Sequence, residues 1–154
     1  MQFDDVDQQI LDILRQDGRA SHASIAKAVG LSAPAVGERV RKLEVAGVIT
    51  GYRAVVDPAA VGLQITAFIM VTPQPRQPAH LLVERLEEQP EIEALYAVAG
   101  KQSFMALART PSTAALDRLL DRIFMLKGVE GTETIMVLRT AFERPAYLPF
   151  DGPS

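Results

Sequence analysis

The chain has 154 residues, 48% of them hydrophobic and 23% charged, which fits one folded domain or two small ones and excludes wholesale disorder. Its formal net charge of -3 excludes a uniformly basic nucleic-acid coat but leaves room for a local basic patch. It has no cysteine, which removes disulfides, thiolate nucleophiles and most structural zinc sites.

The opening MQFDDVDQQ is acidic and lacks the basic flank and apolar run of a signal peptide. No later stretch approaches the ~20 apolar residues that span a bilayer, so a cytoplasmic protein without a membrane partner is expected. A helix is predicted from Asp4 to Gln16, with Val6, Ile10, Ile13 and Leu14 on one face, Asp4 or Asp5 capping it and Asp17-Gly18 ending it. A second helix fits Ser21 to Val29, capped by Ser21 and stopped by Gly30. Ser32 caps a third, in which Pro34 is tolerated in the first turn and Val36, Val40 and Leu43 form the apolar stripe before Gly47. Val48-Ile49, a Thr50-Gly51 turn and Tyr52 to Val56 then read as a short β-ribbon, or wing.

Two helices joined by a glycine turn, the second basic and followed by a ribbon, form a winged helix-turn-helix. At about 100° per residue the stripe faces the core, so Pro34, Glu38, Arg41, Lys42 and Val45 project outward with Arg39 on the flank. Arg39, Arg41 and Lys42 suit phosphates or guanine edges, and Glu38 suits cytosine N4. Ser32, Ala33 and Pro34 bring the helix start to a phosphate. Double-stranded DNA is therefore the expected partner. Gly37 inside this helix costs about 0.5 to 1 kcal/mol relative to alanine, and either allows close approach to DNA or has no role.

The stretch DPAAVGLQ is small and turn-prone, and divides the chain into a DNA-binding domain (1–56), a linker (57–63), a second domain (64–142) and a tail (143–154). The second domain reads as a strand from Ile65 to Thr72, a proline-rich loop, a helix from Ala79 to Glu88, strands at Ile92 to Ala99 and Phe104 to Arg109, a helix carrying Leu116, Leu119, Leu120 and Ile123, and a last strand from Thr132 to Phe142. This β-α-β-β-α-β order is ferredoxin-like, so the whole chain belongs to the α+β class. Both helices cover one sheet face, while Phe68 and Met70 make the other apolar too, which marks a homodimer interface or a seat for the tail. The tail ERPAYLPFDGPS carries three prolines and three apolar anchors, and either packs on a subunit or stays loose.

Two long strings, FDDVDQQILDILRQDGRAS and IAKAVGLSAPAVGERVRKLEVAGVITGYRAVVDPAAVG, together with AFIMV, PEIEALYAVAG and GVEGTETIMVL, resemble the Lrp/AsnC (feast/famine) family of prokaryotic transcriptional regulators over nearly the whole chain. The resemblance implies a dimer built through effector domains, assembly as far as octamers, paired recognition helices and response to an amino acid. It places an effector site at Gly100, Lys101, Gln102 and Ser103, approached by Thr132 and Thr134. The family's turn carries acidic residues after the glycine, and Lys101 here would attract a carboxylate instead.

Two other functions are weighed against this one. A ligand-independent DNA-architectural protein is favoured by the altered turn. A siroheme-decarboxylase-like enzyme would need a histidine or arginine cluster on a large apolar cavity. His22 and His80 lie apart in polar stretches, with no second imidazole at ligand spacing, so no enzyme, no metal and no cofactor are expected.

Overall fold

The structure, a computed structural model, describes residues 3–100, 103–144, 146 and 148. It divides into two compact units, Met1–Val55 with Phe142–Ser154, and Val56–Ala141.

The first unit holds three helices, α1 (Asp5–Gln16), α2 (His22–Val29) and α3 (Ala33–Val45). Each start is capped by the residue the sequence offers. Asp4 accepts from the Asp7 amide while the Asp7 side chain accepts from the Asp4 amide, a reciprocal cap, and Ser21 and Ser32 accept from Ser24 and Ala35. The helix ends are set by Gly30 and Gly47, both at φ 70, which a side chain would strain. Behind Gly47 the Val48 amide donates to the Leu43 carbonyl and the Gly47 amide to that of Glu44, each at 2.9 Å, closing α3 with a Schellman motif. The helices enclose Ile10, Leu11, Ile25, Ala26, Val36, Val40 and Leu43. The tail joins this unit: Leu148 packs against that cluster, and Arg15 Nη1 donates to the Ala146 carbonyl at 3.3 Å.

The expected wing is not formed, and no strand is assigned among residues 46–58. The Val48 and Ile49 amides both donate to the Leu43 carbonyl, at 2.9 and 3.2 Å, so the helix end takes the donors that a ribbon would need. Val55 is fully exposed. The linker contains one 3-10 turn, Ala59–Val61.

The second unit is a four-stranded sheet of β1 (Ile65–Pro73), β2 (Ile92–Ala97), β3 (Phe104–Thr110) and β4 (Val129–Val137), in the order β2-β3-β1-β4 with all neighbours antiparallel. The helices α4 (Ala79–Glu87) and α5 (Thr113–Phe124) follow β1 and β3, as the ferredoxin-like order requires. Ala67, Ile69 and Val71 of β1, with Phe104, Ala106 and Ala108 of β3, meet Leu82, Leu86, Leu116, Leu119 and Ile123 in one buried cluster. β4 starts earlier and stops sooner than its sequence suggests. Val129 is drawn in because it closes this core and pairs with Pro73 across a bulge, and Val137 is the last rung because it pairs with Thr66, next to the first residue of β1. Leu138 beyond it is almost fully exposed.

The opposite sheet face carries no helix. Phe68, Leu107 and Ile135 lie in one cross-strand row, and Met70 with Met105 in the next, so its centre is apolar. Tyr96, paired with Met105, extends it onto β2 and is half exposed. No helix among the described residues is long and apolar enough to cross a membrane.

In the proline-rich loop the Gln77 amide donates to the Gln74 carbonyl at 3.3 Å, with Pro75 and Arg76 as the two central residues and Arg76 at φ 65. A turn with positive φ at its third residue asks for glycine or asparagine there. Arg76→Gly is expected to raise the urea midpoint by an amount equivalent to about 0.5 kcal/mol at unchanged m-value, and a lowered midpoint would refute the strain argument.

Candidate nucleic-acid interface

The outward face of α3 follows from which side is buried. Val36, Val40 and Leu43 are buried in the three-helix core, which leaves Ser32, Pro34, Glu38, Arg41, Lys42 and Val45 exposed and Ala33 partly so. Ser32 Oγ accepts the Ala35 amide at 3.3 Å and keeps its own proton to donate. Arg41 is held by Glu38, one turn earlier: Nη2 donates to Oε1 at 2.9 Å and Nε to Oε2 at 3.2 Å. Lys42 Nζ stands 4.0 Å from the same carboxylate. The Glu38 carboxyl is thereby lowered from its ordinary pKa, chiefly by the Arg41 hydrogen bond and then by its charge.

Arg39 behaves differently from its two neighbours. Its Nη1 donates to Asp4 at 2.9 and 2.8 Å and to Asp7 Oδ1 at 2.7 Å, so the guanidinium ties α3 to the capped start of α1. Asp7 is buried, and its pairing with Arg39 explains how a carboxylate comes to lie there. The capping pair could have been read from the Asp4 and Asp7 spacing, yet nothing local signals that a residue thirty-odd positions away completes it. The Asp4 carboxyl is lowered first by the Asp7 amide and then by Arg39.

Gly37 is explained by a neighbour on α2. A Cβ built there would stand 3.1 Å from His22 Nδ1 and 3.3 Å from Cε1, so the missing side chain makes room for the imidazole. His22 and Gly37 line a cleft of ≈ 350 Å³ with Arg19, Arg41, Glu44 and Tyr52, and the Tyr52 hydroxyl donates to Glu44 Oε1 at 3.0 Å.

In the second unit Gly100 has φ 145, a conformation that excludes most side chains, and the Val98 amide donates to the Ser103 carbonyl at 2.9 Å across the turn. Lys101 and Gln102 lie outside the described residues. Thr132 pairs with Val71, which also pairs with Phe104, so Thr132 stands at the same end of the sheet as the turn with β1 between them. Thr132 and Thr134 share the helix side with Val71 and Ile69. One subunit thus sets the two groups about two strand spacings, roughly 10 Å, apart.

Residues 3–44 match the AsnC-type helix-turn-helix domain and residues 66–147 the Lrp/AsnC ligand binding domain. The chain is 41% identical over 148 residues to the HTH-type transcriptional regulator LrpA of Mycobacterium tuberculosis, covering 96% of this chain and 97% of the relative. It is 32% identical over 142 residues to the leucine-responsive regulatory protein of Rhizobium meliloti, covering 90% and 91%. A feast or famine regulatory protein from M. tuberculosis, solved with L-methionine, superposes with a TM-score of 0.90 at 40% identity over 95% of this chain and 99% of that one. A transcriptional regulator from Neisseria meningitidis, also solved with L-methionine, gives 0.90 at 26% identity over 96% and 97%. The chain belongs to the Lrp/AsnC family of transcriptional regulators, with a helix-turn-helix unit followed by the family's ligand-binding fold.

Two outcomes test this local geometry. Gly37→Ala is expected to give no net stabilisation in the wild-type background but about 0.5 to 1 kcal/mol when combined with His22→Ala; an equal effect in both backgrounds in chemical denaturation would break the link. Asp4 has a depressed pKa, so its contribution is present above the ordinary carboxylate value and is lost as pH falls through the lowered one. Asp4→Asn keeps the cap and removes the charge. It should lower Tm at pH 7 and converge with wild type in acid; a pH-independent difference would refute the ion-pair account.

Proposed function

We propose that two copies of this chain present their α3 helices to successive major grooves of double-stranded DNA, and that Ser32, Ala33, Pro34, Glu38, Arg41 and Lys42 form the contact. The observation that carries this reading is the orientation of α3: its stripe of Val36, Val40 and Leu43 is used by the core, so its exposed face is mostly polar and available. Arg39 is left out of this contact set, because its Nη1 is engaged by Asp4 and Asp7, which turns the side chain toward the first helix. The helix-free sheet face supports a homodimer, since Phe68, Met70, Met105 and Leu107 leave an apolar surface that a second copy can cover symmetrically. Further association of dimers into octamers agrees with the family.

The effector in this reading is an amino acid or a related metabolite, bound at the turn from Gly100 to Ser103. Two relatives solved with L-methionine support that class. The lack of an acid after Gly100 supports a different contact to the ligand, with Lys101 attracting its carboxylate. The same observation favours a second reading, an architectural protein that binds DNA without a metabolite switch. Gel shifts on the protein's own upstream DNA with and without each amino acid, beside measurement of assembly size, separate the two: no response to any effector favours the second.

Arg41→Ala or Lys42→Ala should weaken binding to the protein's preferred DNA site and reduce the salt slope there by about one per lost phosphate contact per subunit. An unchanged slope in both variants would overturn the contact assignment.

A further inference from the structure

Each cation on α3 faces a carboxylate: Arg39 faces Asp4 and Asp7, while Arg41 and Lys42 share Glu38. The two arrangements differ in consequence. Asp4 and Asp7 lie at the capped start of the first helix and hold Arg39 aside, whereas Glu38 lies on α3 itself, exposed on the face that carries Arg41 and Lys42. Its side chain is 51% exposed, and those of Arg41 and Lys42 are 61% and 62% exposed, so all three reach solvent together.

A carboxylate in that place opposes the approach of DNA twice. It competes with phosphates for both cations, and it enters a groove whose edges present mostly acceptors: guanine N7 and O6, adenine N7 and thymine O4. Only the exocyclic amino groups of cytosine and adenine can donate to it there. We propose that Glu38 is a specificity-determining residue that works by penalty. On DNA without an amino group opposite it, the carboxylate stays on Arg41 and Lys42 and withholds them from the backbone. On a matched site it turns to the amino N–H and releases both. The inference rests on the placement of α3 in the major groove.

Glu38→Gln and Glu38→Ala test it, and Glu38 contributes nothing to the buried cluster, so both variants should fold. Affinity is measured over a salt series on two duplexes of equal length, one selected from a random pool by the wild-type protein and one of mixed sequence. Glu38→Gln is expected to tighten binding to the mixed duplex about tenfold for a dimer and to steepen its salt dependence, with a smaller gain on the selected duplex, so that their ratio falls. Selection repeated with Glu38→Ala should keep the wild-type consensus except for a lost cytosine or adenine preference at one position per half-site. Equal changes on both duplexes, weaker binding to both, or an unchanged consensus would overturn the proposal. Arg41→Ala run beside them separates the premise: wild-type affinity in that variant rejects the groove placement itself, whereas weakened binding there with a silent Glu38→Gln rejects the penalty alone.

Discussion

The burial of Val36, Val40 and Leu43 is the constraint on which the first unit depends. A three-helix unit of this size has few apolar side chains to enclose, and these three stand with Ile10 and Ile25 at its centre. Once that stripe is committed inward, helical geometry leaves no choice about the rest of α3: Glu38, Arg41 and Lys42 must face out. The Schellman closure at Gly47 and the Ser32 cap then fix where the helix begins and ends. Arg39 adds a lateral tether to Asp4 and Asp7, so α3 is held by packing on one side and by a charged hydrogen-bond cluster on another.

The second unit meets an opposite problem, because its sheet is apolar on both sides and its helices cover only one. The helix side closes on itself through small residues, Ala67, Ala106 and Ala108, which let Leu86, Leu119 and Ile123 come close to the strands. The other side is left with larger groups, Phe68, Met70, Met105 and Leu107, which remain partly exposed. This asymmetry suits the proposed homodimer: a second copy would meet a face that is already apolar, and flexible methionines tolerate imperfect complementarity. Beside it, Arg109 and Glu93 pair at 2.6 Å, which gives this apolar surface a polar neighbour.

The three helices and their caps were legible because periodicity and capping are local signals: Ser21, Ser32, Gly30 and Gly47 each do what their position announces. The β-α-β-β-α-β succession of the second unit was legible from hydrophobic patterning and turn residues. The wing was misread because Val48-Ile49 and Tyr52 to Val56 have strand-like composition, while a strand exists only when a partner ladder takes up its amides; here two of those amides return to Leu43. The ends of β4 were misread for the same reason, since its length is set by where β1 starts and by a bulge at Pro73. In the candidate site, periodicity showed which way Arg39 leans but not that two aspartates wait for it. Nor could Gly37 be understood without His22, whose ring occupies the space that a side chain would need.

Arg39 and Glu38 together change what the charge of this helix means. Counting residues, α3 carries three cations and two anions, and looks basic. Counting what it can offer, one cation is bound to another helix and the remaining two share a carboxylate within 4.0 Å. A chain with net charge -3 therefore has no need to bury or screen a strongly basic face while it is free of DNA. If Glu38 acts as proposed, these two cations attract phosphates weakly until a partner displaces it, and attraction gained only on displacement responds to the chemistry of the displacing group. Under that proposal, long-range field, which draws a protein to every phosphate alike, is exchanged for short-range contacts that differ from one base to the next.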